Sequence, residues 1–214
     1  MGEAEIAGDP PRRGLLVDFG GVLTTDIFAS FKAFCEVEGL EPDVVAKLFR
    51  HDPAGRQLLF DLETGAIPEE EFEPKFGALL GLAEARGPGL IDRLFGGMRP
   101  DHAMLNAVRA AKDAGVKTGL LSNSWGKGRY DRAQFPVLFD GVVISGEVGL
   151  RKPDEAIYRL AAESIGLACA ECVFVDDLAG NLKPARELGM ATIHHTSAAE
   201  TVPQLEKLLG VRLR

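Results

Sequence analysis

No run of about eighteen apolar residues occurs in this 214-residue sequence, so no segment is long enough to cross a bilayer as a helix. Residues 1–11 are acidic and carry no apolar stretch, which argues against a secretory signal or an anchor and sets the expectation of a cytoplasmic protein. Cysteine is scarce too: three thiols cannot build a disulfide framework. Cys169 and Cys172 do form a C-x-x-C. That pair leads into Cys172-Val-Phe-Val, which reads as a buried strand and not as the helix start a redox motif needs. The expectation is one buried cysteine and one loop cysteine. Positive charge is in deficit, with 24 Lys and Arg against 32 Asp and Glu and a formal net charge of −8. Such a field repels nucleic acid and anionic membrane, so neither is an expected partner. A small anion is not excluded, because one bound cation inverts the charge inside a single pocket.

What is present is ordinary for a protein with a core: 46% apolar and 26% charged residues. Five short apolar runs, at 15–19, 116–121, 142–144, 173–176 and 191–193, are near-continuous in hydrophobicity. That pattern predicts parallel strands with helices over both faces. Between them, 155–165 carries Ile157, Leu160, Ala161, Ser164 and Ile165 on one stripe, with Pro153 ahead and Gly166 behind, as a helix requires. Residues 101–114, closed by Gly115, repeat the signal. Strand alternating with helix predicts an α/β fold with a Rossmann-like, mainly parallel sheet.

Residues 26–99 break the alternation. Helical patterns follow one another there: Ile27, Phe28, Phe31, Phe34 and Cys35 up to Gly39; Val44 to Phe49 after Pro42; 56–63; and an acidic start at Pro68 that Pro74 is expected to kink or restart. A crossover this long exceeds what one connecting helix needs. The expected organisation is therefore a flexible tail at 1–13, a core of 14–25 and 100–214, and an inserted all-α cap at 26–99.

Ligands in open α/β sheets bind at the carboxyl ends of strands. The first run ends in Asp18-Phe-Gly20-Gly21, the second in Ser122-Asn123-Ser-Trp125, and the fourth in Asp176-Asp177 with Asn181 following. After the third comes Gly149-Leu-Arg-Lys152-Pro. Acid, hydroxyl, base and paired acid thus converge on one sheet edge, a set suited to phosphoryl transfer. A carboxylate nucleophile makes a reactive acyl phosphate. Its attack on a phosphate dianion needs a lysine and a hard cation held by carboxylates, while Ser122 and backbone amides bind the transferring oxygens.

These four segments, in this order, resemble the motifs of the haloacid dehalogenase superfamily. The stretch from Val173 through Asp176-Asp177-Leu-Ala-Gly-Asn181 to Thr192 is similar to the branch of the N-terminal phosphatase domain of soluble epoxide hydrolase and its stand-alone bacterial relatives. The resemblance implies a magnesium-dependent phosphatase acting on a small phosphorylated metabolite. Asp18 is then nucleophile and metal ligand, the Gly20 carbonyl, Asp176 and Asp177 complete the metal site, and Asn181 positions the pair. It further implies Ser122 and Lys152 as phosphoryl-holding and charge-neutralising groups, with Gly21, Asn123 and Trp125 toward substrate. A homodimer is compatible with it.

One position departs from the family. The residue two after the nucleophile is usually an aspartate that protonates the leaving oxygen; here it is Gly20. Losing a general acid costs about 10²–10⁴ in rate, which predicts a preference for good leaving groups such as aryl or anomeric sugar phosphates. Asp26 is the nearest replacement acid in sequence, with helix capping as its plainer use. Trp125 is left open between stacking on substrate and packing beneath the cap. His194 and His195 are expected to be a loop-facing pair and not metal ligands. Two other functions stay open: a domain that binds a phosphorylated ligand or partner without turnover, which Gly20 favours, and metal-independent dehalogenation, which the acidic pair disfavours.

Overall fold

The apolar runs become five short parallel strands in the computed structural model, which describes residues 11–126, 128 and 130–213. They are β1 (Gly14–Val17), β2 (Lys117–Ser122), β3 (Gly141–Ile144), β4 (Cys172–Asp176) and β5 (Ala191–His194), in the order β3-β2-β1-β4-β5. The register pairs Val17 with Leu120 on one side and with Val175 on the other, so β1 is central. Its neighbours in sequence fall on opposite faces. Leu15 and Val17 join one buried cluster with Val173 and Val175, while Leu16 and Phe174 join a second. Covering both faces is what turns each strand into an unbroken apolar run instead of an alternating one.

The first face is covered by α6 (His102–Asp113) and α11 (Ala198–Leu209), through Met104, Val108, Leu205 and Leu209. The second is covered by α9 (Glu155–Ser164) and α10 (Ala179–Glu187), through Ile157, Tyr158, Leu182 and Ala185. Caps follow side-chain chemistry: the Asp101 carboxylate accepts the amides of Ala103 and Met104, closing the start of α6. The C-x-x-C behaves as a strand entry. Cys172 is buried at the head of β4, Cys169 lies in the turn before it, and both are free thiols. Among the described residues no helix is long and apolar enough to cross a membrane.

Between β1 and α6 the chain builds a helical layer: α1 (Ile27–Glu38), α2 (Val44–His51), α3 (Pro53–Glu63), α4 (Glu69–Leu79) and α5 (Leu90–Leu94). Its own core gathers Phe31, Phe34, Val45, Leu58, Phe72 and Phe76 with the α5 leucines. Two expectations change here. Pro74 lies inside α4 and does not restart it. Only one turn precedes it, and the flanking Phe72 and Phe76, both fully buried, hold the two sides in one helix. Of the expected tail, residues 1–10 lie outside the described residues. Arg12 and Arg13 are already tied down, donating their amides to Leu208 and Glu171 carbonyls at 2.8 and 2.9 Å.

Two further short helices, α7 (Phe135–Leu138) and α8 (Ser145–Val148), flank β3. The loop after α8 carries Arg151 and Lys152 back over the carboxyl edge of the sheet.

Candidate active site

Asp18 is the first residue past β1, and its amide donates to the Val175 carbonyl at 2.9 Å, extending the sheet register by one bond. The next strand over ends in Asp176, fully buried. Lys152 reaches between them: its Nζ lies 2.9 Å from Asp18 Oδ1 and 2.6 Å from Asp176 Oδ2. Asp176 also accepts two contacts from the Asn181 amide at 3.0 Å and one from the Leu178 backbone at 2.8 Å. Asp176 is thus the most heavily hydrogen-bonded of the acids here, with the Asn181 nitrogen shared between its two oxygens, and it holds Lys152 in place.

One ammonium cannot neutralise two buried carboxylates, and the electrostatics show where the surplus sits. Burial alone would lower Lys152, but Asp176 and Asp18 outweigh it and hold the ammonium above its ordinary range. Burial pushes Asp18 up to about 6, with Lys152 opposing and Asp176 adding. Asp177 rises further, to about 8, through burial and the charges of Asp18 and Asp176. Asp18, Asp176 and Asp177 form the one carboxylate cluster of metal-ligating spacing among the described residues, with one oxygen of each inside 4.8 Å of the others. The donors are all oxygen and the negative charge is under-compensated, which fits a hard divalent cation.

The cluster opens into a cavity of about 370 Å³. Its floor is Asp18, Ser122, Lys152 and Asp177; its upper wall is Ile27, Phe28, Phe95, Met98 and Trp125. Ser122 Oγ lies 3.0 Å from the Tyr130 hydroxyl. Burial pushes that phenol up to about 12, so it stays protonated beside the site. Above Gly20 the space is taken. A Cβ there would strike Ile27 Cδ1 and come within 3.2 Å of its Cγ1, so in this arrangement the Ile27 side chain fills the space beside Gly20.

The other expected residues divide. Asn123 lines the cavity but is committed to the Lys152 backbone, accepting its amide at 2.9 Å and donating to its carbonyl at 3.1 Å. Trp125 packs edge-on against Phe95 at 5.0 Å and Phe49 at 5.5 Å, as the packing reading has it, and one side of it lines the cavity. Gly21 is not among the lining residues. With φ at +74° and a would-be Cβ 2.7 Å from Asp177 Cγ, it is glycine because Asp177 needs the room.

Asp26 takes its plainer use: it lies outside the lining, capping α1 by accepting the Phe28 amide at 2.8 Å. His195 is buried and bonded to Thr201 at 2.9 Å, not loop-facing, since the chain after β5 turns inward to start α11. His194 Nε2 lies 2.8 Å from the Asp177 carbonyl, so it braces the backbone of the acidic pair.

Two lining residues next to the catalytic groups carried no signal of that role in the sequence. Tyr130 is one. The other is Glu63, the last residue of α3, buried in the cavity wall and paired with Arg151 at 2.9 Å. Burial pushes it up to about 7 against the pull of Arg151 and Lys152.

A family model described as haloacid dehalogenase-like hydrolase matches residues 13–189. Bifunctional epoxide hydrolase 2 of Sus scrofa is 35% identical over 131 residues, which is 58% of this chain and 24% of that longer protein. A sesquiterpene phosphatase of Aspergillus oryzae is 29% identical over 151 residues, covering 69% of this chain and 77% of that one. Among solved structures, an enzyme of this family from Bacteroides thetaiotaomicron, in complex with magnesium and inorganic phosphate, superposes with a TM-score of 0.63. It is 21% identical and the match covers 86% of this chain and 94% of that one, a likeness of fold.

Proposed function

The chain belongs to the haloacid dehalogenase-like hydrolases, and on that premise we propose that it is a magnesium-dependent phosphatase working through an aspartyl-phosphate on Asp18. The observation that carries the reading is Lys152 paired with both Asp18 and Asp176 beside Asp177, the third acid of the cluster, whose carboxyl burial and its two neighbours push up to about 8. Asp18, Asp177 and the Gly20 carbonyl would hold the magnesium, with Asp176 behind them fixing Lys152. The ion supplies positive charge for the transferring phosphoryl group. Asp18 attacks phosphorus with its carboxylate, Lys152 faces the charge that develops, and Ser122 with Tyr130 behind it donates to a phosphoryl oxygen. The helical layer serves as a cap that shuts the cavity from water. A dehalogenase has no use for three clustered carboxylates that share one lysine. The test is phosphate release from p-nitrophenyl phosphate with and without magnesium: release only with the ion supports the proposal, and none in either condition contradicts it.

The upper wall carries the substrate reading. Ile27, Phe28, Phe95, Met98 and Trp125 offer apolar surface, which favours an apolar alcohol and supports the aryl half of the sequence expectation over the sugar half. Burying a small hydrocarbon group contributes about 1.5–3 kcal/mol, whereas a sugar hydroxyl laid against those five side chains loses water there without gaining a hydrogen bond from them. Matched alkyl esters isolate this effect: kcat/KM for hexyl phosphate is expected to exceed that for sorbitol 6-phosphate by about tenfold or more. Equal values contradict an apolar alcohol site.

Metal binding also has a stability signature. Asp18 at about 6, Glu63 at about 7 and Asp177 at about 8 all lie above ordinary carboxylate values. The folded protein therefore binds more protons than the unfolded chain between about pH 4 and 8, and its stability falls as pH rises through that window. A divalent cation takes over from the protons on Asp18 and Asp177. The melting temperature of the metal-free protein is expected to be lower at pH 8 than at pH 5, with magnesium raising it more at pH 8. An equal magnesium effect at both pH values contradicts the assignment.

A further inference from the structure

The acid/base function that Gly20 cannot perform has a second possible source, and it lies across the cavity from the sheet. We propose that Glu63 of the cap is the proton-transfer group of this site, so that the acid arrives with α3 instead of with the loop after β1. The inference rests on the phosphatase reading above.

Four observations carry it. Gly20 brings no carboxyl, and the space a Cβ would take there is filled by the end of the Ile27 side chain. Asp26, the nearest acid in sequence, is spent on a helix cap outside the cavity. Glu63 lines the same cavity as Asp18, Ser122 and Lys152. Its Oε2 is fixed by Arg151 at 2.9 Å and by the Asn123 amide at 3.3 Å, while Oε1 has no hydrogen-bond partner among the described residues. A carboxyl with one oxygen clamped and the other free at a substrate cavity is arranged to exchange a proton.

The backbone holds it there firmly. The Glu63 carbonyl accepts the Ser145 hydroxyl, and Ser145 Oγ in turn accepts the Ser124 amide at 2.8 Å, linking α3 to the ends of β2 and β3. Gly65 follows with φ at +72°, where a Cβ would lie 2.5 Å from the Gly146 carbonyl. Cap and core touch backbone to backbone at this point, which sets the carboxyl against the core. The charged groups facing Glu63 are Arg151 and Lys152 from the loop after α8 and Asp18 from the end of β1. Burial against that mixed field leaves its pKa at about 7, where a proton can be given and taken back.

The steps balance as follows. An Asp18 oxygen bonds to phosphorus as the ester P–O bond breaks, and the electron pair leaves on the alcohol oxygen, which takes the Glu63 proton and departs as neutral alcohol. The Glu63 carboxylate then takes a proton from water while that water's oxygen bonds to phosphorus. The P–O bond to Asp18 breaks, returning the Asp18 carboxylate, the Glu63 carboxylic acid and inorganic phosphate.

The test compares two leaving groups on one variant. Nitrophenolate leaves without protonation and an alkoxide does not, and kcat/KM covers steps only through alcohol release. With magnesium present, Glu63→Gln is expected to lower kcat/KM for hexyl phosphate by about 10²–10³-fold and for p-nitrophenyl phosphate by less than about tenfold. Both values come from the same preparation, so any loss of folded protein cancels in their ratio. In the wild type, the hexyl ester alone should lose kcat/KM above about pH 7, as Glu63 gives up its proton. Equal losses on the two esters would mean that Glu63 only positions Arg151 and Asn123, and would overturn the inference while leaving the phosphatase intact. Release from neither ester by the wild type overturns both.

Discussion

Asp18→Asn is expected to reduce phosphate release to background, a loss on the order of 10⁴-fold or more, the scale on which removal of a covalent nucleophile acts. The amide has the same shape, so the β1 terminus and its bond to the Val175 carbonyl remain. Lys152 keeps Asp176 at 2.6 Å and stays in place. What disappears is the anionic oxygen that attacks phosphorus, together with one of the two carboxylates proposed to hold a cation. The variant is expected to melt no lower than the wild type in the absence of magnesium, because a buried, poorly compensated charge has gone. Steady-state release from p-nitrophenyl phosphate and a melting curve decide it. A variant retaining a tenth or more of the activity contradicts a nucleophilic Asp18.

Lys152→Met should damage both activity and stability. The ammonium is 1% exposed and touches two carboxylates that are themselves buried. Removing one member of such a group leaves charge in low dielectric without a partner, at about 3–5 kcal/mol. Asp18, which Lys152 holds down against its burial, responds by binding its proton more tightly in the folded state. The deficit is therefore largest above neutrality and shrinks as the pH falls. Urea unfolding midpoints at pH 8 and pH 5 test this, and an unchanged midpoint at pH 8 contradicts a structural charge at Lys152. Magnesium restores part of the stability, since it supplies charge to the same carboxylates, but not the activity.

The strands and their ends were legible because burial on both faces writes itself as unbroken apolar runs. Once Asp18, Ser122, Lys152 and Asp176-Asp177 fall at those ends, the sheet brings them together. The helical layer was legible as helices but not as a surface. Which residues of α1 to α5 face the cavity depends on how the layer sits on the sheet, and helical periodicity says nothing of that. Glu63 looked like an ordinary polar helix end, and only the backbone contact at Gly65 and Gly146 turns it toward Arg151. Asp26 was legible as a helix cap: it is close to Asp18 along the chain, yet its carboxylate serves its own helix. Asp176 and Asp177 are neighbours of identical chemistry, separable only by counting hydrogen bonds. Gly20 was legible as a missing acid, but Ile27 filling the space beside it was not.

The most direct test is to mix the protein with p-nitrophenyl phosphate and magnesium, quench in acid within one turnover, and examine the peptide that contains Asp18 by mass spectrometry. A phosphoryl group on Asp18, present only with magnesium and absent from Asp18→Asn, is the expected result. Phosphate release without any adduct on that peptide, and undiminished in Asp18→Asn, would contradict it.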